Sequence, residues 1–188
     1  MSKFTVLALA ACALLLGGCS VFSGLSTVKE CNYTFAGLDN FSYAGVKLDK
    51  LKDPKALTLT DSINILTALR DKNTKLNFNA LVDIENPHDG TASVETLDWK
   101  LFLDGVEMLE GINKDTIKIE ANKTSRANIQ AAVDPTKVLN GNSLESLWTL
   151  YCKLSGRETA KNSKVTLKLK PTVGGHTLKD YLTLDKEL

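Results

Sequence analysis

Residues Leu76–Gly111 read LNFNALVDIENPHDGTASVETLDWKLFLDGVEMLEG, and their pattern decides the fold. Leu76, Phe78, Ala80, Val82 and Ile84 alternate with polar residues except at Leu81. That is the period of a strand with one face on a core and the other on water. Asn86-Pro87 ends it, because proline has no N–H for a ladder and disfavours helix at the residue before it. His88-Asp89-Gly90 continue as a turn. Leu97, Trp99, Leu101 and Leu103 then alternate with Asp98, Lys100 and Asp104. Asp104-Gly105 is a tight-turn dipeptide, Val106 to Leu109 return, and Gly111 marks a further turn or bulge.

The same periods recur outside this stretch. From Phe41 to Leu51, Val46 and Leu48 alternate with Lys47 and Asp49, as in a half-buried strand, until Asp53-Pro54 breaks it. Leu57 to Asp71 fits period two in part and one helical face in part. The helix is preferred, with Ile65, Leu66 and Leu69 on its face and Asp61 or Ser62 capping it. Asn142 to Leu154 is the clearest helix. Leu144, Leu147, Trp148, Tyr151 and Leu154 form its stripe, Asn142 with Glu145 has capping-box spacing, and Gly156 is placed to end it. Val165, Leu167 and Leu169 alternate with lysines and threonine, Pro171 and Gly174-Gly175 turn the chain, and His176 to Leu184 form a last strand. Seven or so strands with turns between them predict a mostly β chain, an antiparallel β-sandwich with one or two short helices.

The amino terminus reads as a leader. Lys3 precedes an apolar run from Phe4 to Leu16, shorter than the ~20 residues a membrane-spanning helix needs. The run ends in Leu16-Gly17-Gly18-Cys19, which resembles the bacterial lipoprotein box. That resemblance implies cleavage between Gly18 and Cys19, acyl chains (palmitate among them) on Cys19, and a membrane anchor in the cell envelope. Ser20 stands where an inner-membrane retention signal would place Asp, which favours the outer membrane. An ordinary secretory signal cut after Ala13 is the alternative. The expected organisation is a signal peptide over 1–18, a lipidated tether over 19–40 with a flexible spacer from Ser20 to Thr27, and the sandwich over 41–188.

Composition excludes several classes. Lys and Arg number 23 and Asp and Glu 22, so the chain lacks the positive field that nucleic acid requires. No nucleic-acid partner is expected. Loss of Lys3 with the leader takes the formal charge from +1 to zero. Four cysteines are too few for a disulfide scaffold at this length. Cys31 and Cys152 either pair in an oxidising compartment or remain as buried thiols.

The motifs of the opening stretch resemble the group-2 late embryogenesis abundant proteins, whose domain is also called the water stress and hypersensitive response (WHy) domain. The features that carry the resemblance are a strand ending in Asn86-Pro87, then Leu97-x-Trp99-x-Leu101-x-Leu103, Asp104-Gly105-Val106 and Gly111. It continues through Asp115–Glu120, Asn122-Lys123-Thr124 and Arg126–Val133 to Asp134, and spans roughly residues 40–184. The third position of the family's Asn-Pro-Asn is His88 here. The resemblance implies a fibronectin-III or immunoglobulin-like sandwich and a role in dehydration or related stress.

No catalytic constellation is present. His88, Asp89, Asp83 and Glu85 form the only local cluster, and they read as turn polarity and a solvated strand face rather than metal ligands. No nucleophile elbow, P-loop or dinucleotide fingerprint occurs. Trp99 and Trp148 take core-facing positions, and Lys164, Lys168 and Lys170 a solvated face. The expectation is a non-enzymatic protein with no cofactor and no metal. It would act in stress protection by weak contacts with an envelope protein or surface. The alternatives are a carrier of an apolar ligand or lipid, with a cleft under the Asn142–Leu154 helix, and an assembly module that adds a strand to a partner.

Overall fold

A computed structural model describes residues 24–71, 73–135, 144–157 and 163–187. The alternation that opened the sequence is realised in β3 (Leu76–Glu85), whose even-numbered residues Leu76, Phe78, Ala80, Val82 and Ile84 are buried. β3 is a central strand. It pairs antiparallel with β8 (Thr124–Val133) in unbroken register from Leu76 opposite Val133 to Glu85 opposite Thr124. On its other side runs β1 (Asn32–Tyr43), interrupted by irregularities between Phe35 and Gly37 and between Asp39 and Ser42. β1 turns at Ala44-Gly45, both at positive φ, into the short β2 (Val46–Lys47), so the first sheet has the order β2-β1-β3-β8.

The second sheet is built on β5 (Thr96–Leu103) and β9 (Lys164–Val173), which run antiparallel from Thr96 opposite Thr172 to Leu103 opposite Val165. β6 (Val106–Asn113) flanks β5. β10 (His176–Thr177) and β11 (Leu182–Glu187) share the far edge of β9. A small ladder of β4 (Ala92–Val94) and β7 (Ile117–Ile119) joins the loops. The inward residues of both sheets form one apolar core, including Val165, Leu167, Leu169, Leu97 and Leu101. Each such side chain stabilises the fold by about 1.5–3 kcal/mol relative to exposure. β11 closes against β1, where the Lys186 ammonium donates to the Ala36 carbonyl, and β6 runs alongside β8. The result is the antiparallel sandwich that the strand pattern predicts.

Among the described residues three α-helices accompany it, one more than the sequence reading allows. Residues 24–30 form α1, so positions read as spacer and tether carry helix and then β1. The strand expected from Phe41 begins nine residues earlier, at Asn32, and the chain from Leu48 to Lys52 is 3-10 helix rather than strand. α2 (Leu59–Asp71) is capped by Thr58, not by Asp61 or Ser62. The Asp61 N–H donates to Thr58 Oγ1 at 3.0 Å and the Thr58 N–H to Asp61 Oδ2 at 3.1 Å, a reciprocal capping box. Its inner face is Ile65, Ala68 and Leu69, while Leu66 points outward with Leu59 and Ile63.

α3 (Leu144–Ser155) lies across one end of the core, burying Leu147, Leu150, Tyr151 and Leu154. The Tyr151 ring meets Phe41 edge-on at 5.2 Å, and Phe41 stacks on Phe78. Gly156 takes positive φ, and the Arg157 N–H donates to the Cys152 carbonyl at 3.1 Å, as in a Schellman end. Trp148 is half-buried over Tyr151 rather than inside the core. Asn142 and the Leu144 and Glu145 side chains lie outside the described positions.

Two predicted turns are strand. Pro171 sits inside β9. Its carbonyl accepts from the Leu178 N–H, so its missing N–H faces the place where the partner of β9 changes from β11 to β10, and no ladder bond is lost there. Gly111 is interior to β6, opposite Trp99.

Candidate functional site

The motif residues converge at one end of β3. Pro87 stops the ladder, and Asn86 turns its side chain inward, fully buried. Asn86 Nδ2 donates toward the carbonyls of Gly90 at 2.7 Å, Ile119 at 3.2 Å and Glu120 at 3.3 Å. Its Oδ1 accepts from the His88 N–H at 3.1 Å. The backbone repeats the link, with Asn86 N–H to Lys123 O at 2.9 Å and Asn122 N–H to His88 O at 3.1 Å. The Asn122 carboxamide also donates to Asp89 at 2.9 Å. A buried carboxamide must have its donors and acceptor used, and here they tie the turn after β3 to the turn before β8. Asn86 is therefore a brace, fully buried and bonded to backbone through both its amide nitrogen and its amide oxygen.

The other motif residues are also architectural. Asp104 and Gly105 take φ of 50° and 81°, as a two-residue hairpin turn demands. Gly111 makes room for Trp99: a Cβ there would lie 2.6 Å from Trp99 Cζ2. His88, at the departing third position, brings Nε2 to 3.2 Å from Glu30 Oε2 of α1, without the alignment of a hydrogen bond.

The acidic cluster is dispersed among separate partners. Arg126 grips Asp83 with two bonds of 2.6 and 2.7 Å, which holds that carboxyl below its ordinary range, and Asn32 donates to Glu85 at 3.2 Å. Among the described residues no group of three His, Cys, Asp or Glu is placed to hold a metal. Cys31 and Cys152 are separate free thiols, both buried, so the alternative of a bridge between them is not formed. Cys31 donates to the Thr27 carbonyl at 3.3 Å, and burial raises its pKa. Gly18 and Cys19 lie outside the described residues, and among those residues no helix is long and apolar enough to cross a membrane.

The surface holds what the motif reading missed. On the outer face of β1, β3 and β8 lies an open dent of about 410 Å³ lined by Asn40, Ser42, Asn77, Asn79 and Gln130. A second, of about 260 Å³, sits in the seam between β6 and β8, with Trp99, Ile112, Asn113, Asn128 and Gln130 on its walls. The cleft beside α3, about 300 Å³, has charged groups on its rim, Asp39, Lys47, Asp49 and Arg157. Arg157 lies over the Tyr151 ring at 5.1 Å. The outward period-two positions of β3 and β8 were the available signal for the first dent, but only the strand pairing places them together.

A search of curated proteins returns no match. Among solved structures, a crystal structure of a protein from Archaeoglobus fulgidus aligns at 11% identity and TM-score 0.40, covering 82% of this chain and 96% of that one. The solution structure of an Arabidopsis thaliana protein aligns at 13% identity and TM-score 0.43, covering 61% of this chain and 70% of that one. The family model described as Late embryogenesis abundant protein matches residues 81–181, which include β5, β6, β8 and β9 and the Asn86 brace at their border. That match takes in more than half of the chain, and the protein belongs to the late embryogenesis abundant family of type 2.

Proposed function

We propose that this domain is a non-catalytic binding module, anchored through acylated Cys19 in a bacterial cell envelope, at the outer membrane in preference to the inner. It protects neighbouring proteins or surfaces during desiccation or osmotic stress by weak contacts. The observation that carries this reading is the use of the polar motif. Asn86, the one buried asparagine of the signature, is held by backbone groups, and the core behind it is built mainly of aliphatic and aromatic side chains. What remains for function is the outer surface. A folded sandwich cannot replace a hydration shell as an unfolded polar chain does, so it acts by contact.

The anchor makes weak contacts effective. Multiple acyl chains exceed the two-signal threshold for stable membrane attachment. The five steps from Cys19 to residue 24, the first described residue, reach no more than about 18 Å, which keeps the domain at high local concentration. A carrier of apolar ligands is disfavoured by the packing of α3, whose inner residues Leu147 and Leu154 are closed onto the core.

Two measurements test the reading. A clickable fatty acid should label the wild-type protein and not Cys19→Ala; label on the variant sinks the anchor. Cells lacking the protein should survive drying and osmotic shock less well, and complementation should restore them; unchanged survival removes the protective role.

A further inference from the structure

Asparagine is depleted from strands, where β-branched side chains fit better. The outer face of the β2-β1-β3-β8 sheet departs from that rule at adjoining positions. Asn79 of β3 stands opposite Gln130 of β8 and Asp39 of β1; Asn77 stands opposite Ser42 and Ala132; Asn128 stands opposite Leu81. Asn40 is added by the irregularity in β1, at φ of 54°, and its residue lines the same dent. The carboxamides of Asn40, Asn79, Asn128 and Gln130 have no hydrogen-bond partner among the described residues. Local rules broken without a structural return mark functional surfaces.

We infer that this carboxamide band binds a neutral glycan chain. Strands spaced at ~4.8 Å, with same-face residues ~6.7 Å apart, present a grid of groups that both donate and accept. Sugar hydroxyls do the same, and pairing them with carboxamides avoids stripping water from a full charge. No Lys or Arg lines either dent, and Asp115 is the one charged residue on their walls, so an anionic glycan would meet no counter-charge. Gln130 lines both dents, which makes them one track. At the β6 end the track meets the exposed side chain of Ile112, an apolar contact for a sugar-ring face, above the buried Trp99.

This deepens the surface-binding reading by naming a ligand class, and it depends on neither the anchor nor the stress role. The test is native affinity electrophoresis of the full-length protein in gels containing dextran, galactomannan or glycol chitin, with heparin as the anionic comparison. Retardation by at least one neutral polymer, and none by heparin, is expected. The double variant Asn79→Thr/Gln130→Thr should weaken that retardation about tenfold. Lys168→Gln, on the opposite sheet, should leave it unchanged. Matching melting temperatures certify the fold; if the double variant does not fold, Asn128→Ser alone must weaken binding. No retardation by any of the three neutral polymers, retardation by heparin alone, or a substituted band that binds as wild type overturns the assignment. A protein that ignores all three yet still protects cells refutes the glycan and leaves the protective reading standing.

Discussion

On the outer face of β5, β9 and β11, lysines are matched within the molecule. Lys100 reaches Glu107 at 3.2 Å and Glu110 at 2.9 Å, and Lys164 reaches Asp185 at 2.9 Å. Lys168 lies over Phe102 and Lys170 over Tyr181. Lys100 and Lys168 are direct cross-strand neighbours, an unfavourable like-charge pair that these carboxylates and rings offset. The outer face of β1, β3 and β8 is arranged differently. Among the described residues it carries one ion pair, Asp83 with Arg126, and beyond it the carboxamides of Asn79, Asn128 and Gln130, which have no hydrogen-bond partner among those residues. The contrast separates a face whose polar groups serve the sheet from one whose groups remain available to the outside.

The comparison can be broken at its scaffold. Trp99→Ala removes the ring that holds β5 to β6 over Gly111, and should cost about 3–5 kcal/mol in urea unfolding. A cost below about 1 kcal/mol would show that the second sheet does not rest on it. Asn86→Ala strands the His88 N–H and the Gly90 and Ile119 carbonyls, and should cost about 3 kcal/mol by the same assay. Gly111→Ala forces a methyl onto the Trp99 ring and should cost about 1–3 kcal/mol, but very little in a Trp99→Ala background. Equal costs in both backgrounds would mean that the ring is not what excludes a side chain there.

The carboxamide face should respond in the other direction. Asn79→Thr should leave melting unchanged or raise stability by a few tenths of a kcal/mol, because threonine fits a strand better and no bond is lost. A clear destabilisation would reclassify Asn79 as part of the fold. The smallest effect concerns Asp83. Its carboxyl is held below the ordinary range mainly by the hydrogen bonds from Arg126. A depressed folded pKa contributes stability above the unfolded value of ~4, which is lost as pH falls through the lower folded value. Wild type should therefore lose slightly more stability than Asp83→Asn between pH 5 and about 2, seen as a difference in urea midpoints. Identical acid profiles would show that the exposed pair is screened to nothing.

β3, β5 and β9 were legible because their apolar residues keep period two against a single core. β1 was not. Irregularities at Phe35/Gly37 and Asp39/Ser42 shift its phase, so Phe35 and Phe41 are buried without an alternating run between them. Pro171 misleads because proline signals turns locally, and its tolerance depends on where a neighbouring strand changes. Gly111 carries the same lesson, since its partner Trp99 is named only by the register. The sequence marks Asn86 as a strand end, which it is. Its bracing role depends on carbonyls 33 and 34 residues away. The carboxamide band likewise spans β1, β3 and β8, and no window of sequence contains it.

The brace at Asn86 has a consequence for how this end of the molecule moves. One side chain and two backbone bonds fasten the turn after β3 to the turn before β8, so neither loop frays alone. Amide protons of Asn86, His88 and Asn122 should exchange with solvent as a single cooperative unit, at a rate set by one opening event. During folding the brace cannot form until the chain has brought both turns together, across a loop of more than thirty residues. Once shut, it converts two surface loops into a rigid base for the strands that carry the carboxamide face.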